Sequence, residues 1–193
     1  MKHIVKPAFS LFIVAALSAV SLGVVYNVMA DPIAENQRRT RERVLREILT
    51  EATEFVEAPE VLAETSDSRI RIERVFEGRS EGATVGYVVE IVTGAGYGGD
   101  IIMMVGILSA QNRIAGVRVL RHSETPGFGA VISRESFFRR FDGRSLIPLA
   151  VVRRAEADEN EFQAITSSTI TTNAIVGAVN EAIEWHNAQG GQR

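Results

Sequence analysis

The longest stretch of the chain without charge lies near its N-terminus. No charged residue occurs from Pro7 to Ala30, and Phe, Leu, Ile and Val dominate this stretch. At about 1.5 Å rise per residue, such a stretch forms a helix that covers the roughly 30 Å hydrocarbon core of a bilayer. The sequence therefore predicts a transmembrane anchor over residues 8–30, preceded by a short tail over residues 1–7.

Charges on either side of this stretch set its predicted orientation. Lys2 and Lys6 precede it, whereas Asp31 and Glu35 follow it. Because positive charge collects on the cytoplasmic side of membranes, the N-terminus is predicted in the cytoplasm and the rest of the chain outside it. Residues 28–30 also resemble a signal-peptidase site. A secretory apolar region is typically about 7–15 residues long, so the pattern favours an uncleaved anchor.

A second helical pattern follows, and residues 31–60 are predicted to form a juxtamembrane amphipathic helix. Apolar positions recur at helical spacing within residues 33–55, Pro32 suits a first turn, and Pro59 ends the pattern. Five arginines in this segment are interleaved with glutamates, which indicates a solvated helix face. A docking helix for a membrane partner is the alternative. The apolar stripe consists of Val44, Leu45, Ile48, Leu49 and Val56.

The remainder of the chain, residues 61–193, carries the patterns of a folded α+β domain. Its first strand alternates apolar and charged residues, as half-buried strands do, and the later strands are denser in Val and Ile. Three phenylalanines on a short helix are more typical of core packing than of a cofactor site. We therefore expect a twisted antiparallel sheet of about five strands with helices packed on it. The predicted strands cover residues 69–76, 84–93, 101–108, 114–120 and 146–152, the short helix covers residues 132–141, and residues 153–161 form a loop.

Composition limits the chemistry available to this domain. The chain has no cysteine, which excludes disulfides, thiolate metal sites, Cys-bound iron–sulfur clusters and a Cys nucleophile, and its three histidines argue against a His-rich metal site. Any redox chemistry therefore requires a bound organic cofactor. Beyond residue 30 the chain has nineteen arginines and 24 acids, a net charge of −5. This balance argues against a nucleic-acid partner, because a phosphate backbone demands a basic surface.

A run of hydroxyl side chains precedes the last apolar pattern. The β-branched threonines favour extended backbone. The apolar positions after them predict a helix from Asn173 to Asn187, with Thr171 or Thr172 as its N-cap. Hydroxyls beside free amide groups and the positive end of a helix dipole suit a phosphate. By pattern alone, a Ser/Thr-rich turn before a capped helix is the simpler interpretation. The run comprises Thr166, Ser167, Ser168, Thr169, Thr171 and Thr172.

Two loops carry the other candidate contacts. The first, residues 94–100, holds four glycines, which permit positive φ and close approach to a ligand, although hairpin turns also use glycine. The second, residues 121–129, brings together an imidazole, a carboxylate, a hydroxyl and a proline-fixed turn. His122 and Glu124 suit acid–base catalysis. A turn in which Glu124 and Thr125 satisfy backbone amides is equally consistent with the pattern.

These segments together resemble the FMN-binding domain family, which is found in the G subunit of the Rnf electron-transport complex and in the C subunit of the sodium-translocating NADH:quinone reductase. The Gly-Tyr-Gly-Gly run, the His-Ser-Glu-Thr-Pro-Gly-Phe-Gly run and the hydroxyl run follow a membrane anchor in the family's order. The chain departs from the family pattern at three places. Gln163 stands where an acid is usual, Ser167-Ser168 replaces Gly-Ala, and Asp100 replaces proline.

The resemblance implies an FMN joined to Thr169 through a phosphoester, in a subunit that is not catalytic by itself. A second short run, Gly82-Ala83-Thr84, matches the motif core but enters a strand directly, so we interpret it as a hairpin. The other residues implied to contact the flavin are Tyr97, Gly98, Gly99, His122, Glu124, Thr125, Pro126, Gly127, Thr166, Ser167, Ser168, Ile170, Thr171 and Thr172.

The same resemblance implies an electron-transfer subunit of an ion-translocating oxidoreductase in a bacterial inner membrane, with its main domain on the periplasmic side. The implied partners are the other membrane subunits of the complex, a flavin transferase for maturation and the lipid bilayer. The C subunit of the NADH:quinone reductase is the sister interpretation, although that family generally has a longer chain. Two further interpretations are an extracytoplasmic flavin- or ligand-binding sensory module without electron transfer, and a structural anchor whose Thr169 is unmodified.

Overall fold

The computed structural model describes residues 2–58, 65–156 and 158–190. The chain divides into two units, residues 1–42 and residues 43–193. Helix α1, Lys2–Ile48, makes up the described part of the first unit and ends in the second. From Val5 to Ile33 its large apolar side chains are exposed. Among the described residues, α1 is the helix whose length and composition suit a membrane span.

At the polar end of the first unit, charged side chains of α1 form ion pairs with one another. Arg38 bonds Glu35 at 2.9 Å and Glu42 at 2.6 Å, and Arg39 bonds Glu35 at 2.7 Å. These partners are three or four residues apart, the spacing at which side chains on a helix meet. The predicted solvated face is confirmed at these arginines.

The second unit is built on a five-stranded sheet in which every neighbouring pair of strands is antiparallel and the strand order follows the chain. The predicted α+β class is confirmed. The strands of this sheet are β1, Glu54–Glu57; β2, Ile70–Ser80; β3, Ala83–Thr93; β4, Ile101–Leu108; and β5, Arg113–Arg121.

Alternating side chains of the central strands supply two cores, one on each face of the sheet. On β4, Met103 and Val105 belong to the larger core, which includes the apolar side of the C-terminal helix α3, Thr169–Gly190. Met104 belongs to the smaller core, which is covered by Leu45 and Ile48 from the end of α1. The sheet is therefore buried by a helix on each side, which accounts for the density of Val and Ile in β3 and β4.

The prediction of a juxtamembrane helix over residues 31–60 is wrong at its C-terminal end. Helix α1 ends at Ile48, and Val56 lies in β1 instead of extending the apolar stripe. This segment pairs with the edge of β2 instead. Backbone amides on either side of β1 donate hydrogen bonds to the carbonyls of Arg79 and Val75. Long-range pairing thus overrides the local helical pattern. Pro59, which was predicted to end the helix, lies outside the described residues.

Two further elements differ from the prediction. The helix expected over residues 132–141 is broken into a 3₁₀ turn at Gly129–Ser133, the four-residue helix α2 at Glu135–Phe138, and a second 3₁₀ turn at Arg139–Phe141. The strand expected over residues 146–152 starts only at Ala150, after Pro148, as β6, Ala150–Val152. The aromatic side chains of Phe137 and Phe141 are buried, so their interpretation as core is confirmed.

The segment predicted as a loop over residues 153–161 leads into a strand that the sequence did not indicate. Strand β7, Glu161–Gln163, pairs in parallel with β6. Glu156 holds this connection together, because its carboxylate accepts hydrogen bonds from the Gln163 amide at 2.9 Å, from Arg140 at 2.6 Å and from Arg144. β7 leads directly to the hydroxyl run and thereby positions it.

Candidate functional site

A cavity of about 570 Å³ lies where three segments of the second unit meet. These segments are the glycine loop between β3 and β4, the loop that follows β5, and the first turn of α3. Pockets of this size are typical of sites for cofactors and other small molecules. The cavity is lined by Tyr97, Glu124, Thr125, Phe128, Gly129, Ser167, Ser168, Thr169, Ile170 and Thr171.

Helix α3 begins at Thr169 and not at the predicted Asn173, and it ends at Gly190 and not at Asn187. The predicted N-cap residues are therefore inside the first turn. Thr172 Oγ1 donates a hydrogen bond to the Ser168 carbonyl at 2.9 Å and accepts one from the Ile165 amide at 3.1 Å. These bonds fasten the preceding turn to the first turn of the helix.

The turn before α3 contains an unusual backbone conformation at Ser167. Its φ is +65°, in the left-handed region that non-glycine residues rarely adopt. Ser167 stands where the resembled motif carries glycine, whose lack of a Cβ makes this conformation easy. The strained turn brings Ser168 under the first turn of the helix, where the residue is only 6% exposed.

Glu124 connects all three segments of the site. The residue is 5% exposed. Its Oε1 accepts a hydrogen bond from the Gly98 amide at 2.9 Å, its Oε2 accepts one from Thr171 Oγ1 at 2.6 Å, and its own amide donates to His122 Nδ1 at 3.1 Å. Both carboxylate oxygens are occupied as acceptors. Of the two interpretations of this loop, the geometry favours the structural one over acid–base catalysis.

Glycines allow the loops to pack this closely around Glu124. A Cβ at Gly129 would lie 2.2 Å from Glu124 Oε2, and one at Gly98 would lie 2.2 Å from the Ser123 carbonyl. A larger residue at Gly98 would therefore force the glycine loop away from the backbone of Ser123, and one at Gly129 would displace the Glu124 carboxylate. The sequence predicted that the backbone of the glycine loop comes close to a ligand. In the structure this backbone comes close to Glu124 and its neighbours.

The lining has the chemistry required by a planar ligand with a phosphate. Tyr97, Phe128 and Ile170 present large apolar side chains and are 72%, 54% and 54% exposed. The buried Ser168 Oγ has no hydrogen-bond partner within the described part of the chain. It lies beside the first amides of a 22-residue helix, where unpaired N–H groups and the helix dipole favour an anion. The residues present therefore fit a flavin mononucleotide.

Eight of the predicted contacts line this cavity, and seven do not. Of these seven, Gly98 and His122 form hydrogen bonds with Glu124, and Thr172 forms one within the first turn of α3. The other four are close to lining residues in the sequence but are not part of the lining: Gly99, Pro126, Gly127 and Thr166. Two lining residues, Phe128 and Gly129, were missed. Their position within the His-Ser-Glu-Thr-Pro-Gly-Phe-Gly run was the available signal.

Comparison with known proteins agrees with this chemistry. Residues 96–184, which include all ten residues that line the cavity, match the family model of the FMN-binding domain. The structure of Shewanella oneidensis NqrC aligns with a TM-score of 0.53 at 18% identity, covering 74% of this chain and 88% of that one. That likeness shows the fold. By fold and site, the second unit is of the FMN-binding-domain class.

Relatives over the full length give the narrower assignment. Residues 1–48 match the model of the RnfG N-terminal region. The G subunit of the Na⁺-translocating ferredoxin:NAD⁺ oxidoreductase complex of Acetobacterium woodii is 34% identical over 191 residues, covering 95% of this chain and 91% of the relative. The G subunit of the ion-translocating oxidoreductase complex of Methanosarcina acetivorans is 29% identical, covering 98% of each chain. The chain belongs to the family of G subunits of ion-translocating oxidoreductase (Rnf) complexes.

Proposed function

We propose that this protein is the electron-transfer subunit of a membrane-bound ion-translocating oxidoreductase complex and carries FMN as a phosphoester on Thr169. Its relatives are named as subunits of such complexes. The observation that carries the proposal is the cavity, whose lining includes Thr169 at the first residue of α3.

The position of Thr169 supports the esterification of this hydroxyl over its neighbours. Thr171 and Thr172 are buried, and their hydroxyls are engaged with Glu124 and with the Ser168 carbonyl. Thr169 is partly exposed and faces the cavity. A phosphoester formed there keeps one negative charge at the helix N-terminus, where the helix dipole stabilises it. The hydroxyl of Ser168 is a suitable further donor to the same phosphate.

Attachment of the flavin requires a separate transfer step. The Thr169 oxygen would attack the flavin-bearing phosphorus of a flavin dinucleotide and lose its proton, and the pyrophosphate bond would break so that the other nucleoside monophosphate leaves. A flavin transferase is the proposed catalyst, because the carboxylate in the cavity lining, Glu124, is already bonded to Thr171 and Gly98. We therefore do not assign a general base within the cavity.

Bound flavin supplies the electron chemistry, and the chain supplies binding, orientation and exclusion of water. Tyr97, Phe128 and Ile170 offer apolar walls for the ring system. The covalent bond prevents loss of the cofactor on the proposed periplasmic side of a bacterial inner membrane, where α1 anchors the domain. The proposed neighbours for electron exchange are the other membrane subunits of the complex.

The test compares Thr169→Ala with the wild type and with Thr84→Ala, a matched control in the Gly82-Ala83-Thr84 run. Each full-length protein is expressed in membranes together with a flavin transferase and analysed by intact mass and by in-gel flavin fluorescence under denaturing conditions. We expect one FMN, mapped to the peptide containing Thr169, in the wild type and in Thr84→Ala, and none in Thr169→Ala. Covalent flavin that persists in Thr169→Ala would contradict the assignment.

A further inference from the structure

Glu124 differs from every other described residue that lines the cavity because it carries a charge. The remaining nine are glycine, hydroxyl-bearing or apolar residues. With 5% of its surface exposed, Glu124 also ranks among the buried polar residues of the second unit. A charge at this place is exceptional, since isolated carboxylates are expensive to bury.

No ion pair with Arg or His balances this carboxylate within residues 2–58, 65–156 and 158–190. Its two hydrogen bonds come from neutral donors, the Gly98 amide and the Thr171 hydroxyl. Such donors hold the carboxylate in position but leave its net charge in the cavity wall. In a buried site a charge acts more strongly on its surroundings than it would in water.

We propose that Glu124 sets the redox potential of the flavin, in addition to holding the site together. This inference rests on the proposed function, because it assumes that FMN occupies the cavity. Reduction would add electrons to the ring system, and a fixed negative charge in the wall of the cavity would raise the free energy of a more negative ring relative to the oxidised one. Glu124 therefore lowers the potential and makes the bound flavin a stronger reductant.

The substitution Glu124→Gln separates the charge from the structural role. The amide oxygen of glutamine still accepts the hydrogen bond from the Gly98 amide. The amide N–H₂ donates to Thr171 Oγ1, because a threonine hydroxyl is an acceptor as well as a donor. The shape and both hydrogen bonds are retained, and the negative charge is lost. Glu51→Gln is the matched control, since it removes the same charge from an exposed position outside the cavity.

The experiment is a spectroelectrochemical titration of the full-length, flavinylated protein in detergent for the wild type and both variants. We expect Glu124→Gln to shift the equilibrium toward reduced flavin at least tenfold, which for a two-electron couple is about 30 mV toward more positive potential. Glu51→Gln should leave the potential at the wild-type value. An unchanged or lower potential in Glu124→Gln, or an equal shift in Glu51→Gln, would overturn the inference.

A second measurement applies if Glu124→Gln is not flavinylated. The dissociation constants of free FMN in its oxidised and reduced forms are then measured on unmodified wild type and variant. Their ratio reports the same equilibrium without the ester bond, and the variant should favour reduced FMN at least tenfold more than the wild type does. An unchanged ratio refutes the role of Glu124. A wild type that neither binds nor carries FMN refutes instead the proposed function, so the two failures are distinguishable.

Discussion

The hydrogen bond between Thr171 and Glu124 should contribute measurably to the stability of the second unit. Thr171 is 2% exposed, and its Oγ1 lies 2.6 Å from Glu124 Oε2. Thr171→Val keeps the β-branched shape but leaves that oxygen without its donor, while the Gly98 amide still bonds the other oxygen. Removal of one partner of a buried polar group costs about 1–3 kcal/mol, and more when the group is charged. We expect a loss of about 2–3 kcal/mol.

The fluorescence of Trp185 provides the assay. It is the only tryptophan in the chain, is 7% exposed and lies on the same helix as Thr171. For a domain of this size, 1 kcal/mol shifts Tm by about 2–4 °C, so unmodified Thr171→Val should melt about 4–12 °C below the wild type. Thr166→Val is the matched control. Its hydroxyl is on an exposed residue of the same run, so a change within about 0.5 kcal/mol is expected.

One result would refute this reasoning. If Thr171→Val melts at the same temperature as Thr166→Val, the bond across the site does not stabilise the fold, and the apparent connection of the three segments through Glu124 has no energetic consequence. Far-ultraviolet circular dichroism of both variants before heating checks that α3 is intact at the start of the measurement.

Two further predictions concern packing and pH. Gly106→Ala should destabilise the unmodified protein by about 1–3 kcal/mol, because the added Cβ would lie 2.0 Å from Ile48 Cγ2. The control is Gly116→Ala, whose Cβ would meet only ordinary contacts from 3.4 Å. Equal stability of the two variants in denaturant unfolding would contradict the prediction. Burial raises the pKa of Glu156, but hydrogen bonds from a backbone amide and two arginines outweigh it and lower the pKa to about 2, from 4.5. The stabilisation from Glu156 is therefore present above pH 4.5 and lost as the pH falls toward 2. Glu156→Gln should flatten the pH dependence of Tm in that range. An unchanged slope would argue against a stabilising role for the hydrogen bonds that Glu156 accepts.

Local patterns predicted much of the second unit because they act over a few residues. The bounds of β4 coincide with those predicted, since a dense apolar run is closed on both sides by turn residues. The cofactor segments were recognisable for a similar reason: a glycine loop, a proline-fixed turn and a hydroxyl run are continuous in sequence. The amino-acid sequence by itself thus determined the apolar anchor segment, the α+β class and the three segments that form the site.

Only the tertiary structure decided where several of these elements begin and end. Helix α1 stops at Ile48 because the edge of β2 pairs with the residues that follow, and that edge lies more than twenty positions away. Helix α3 starts at Thr169, with the hydroxyl of Thr171 bonded to Glu124, which is 47 positions distant. The enclosure of one charged side chain in the cavity depends on the same contact. Such long-range hydrogen bonds have no local signature, because the free energy that favours them arises only when distant segments are already packed together.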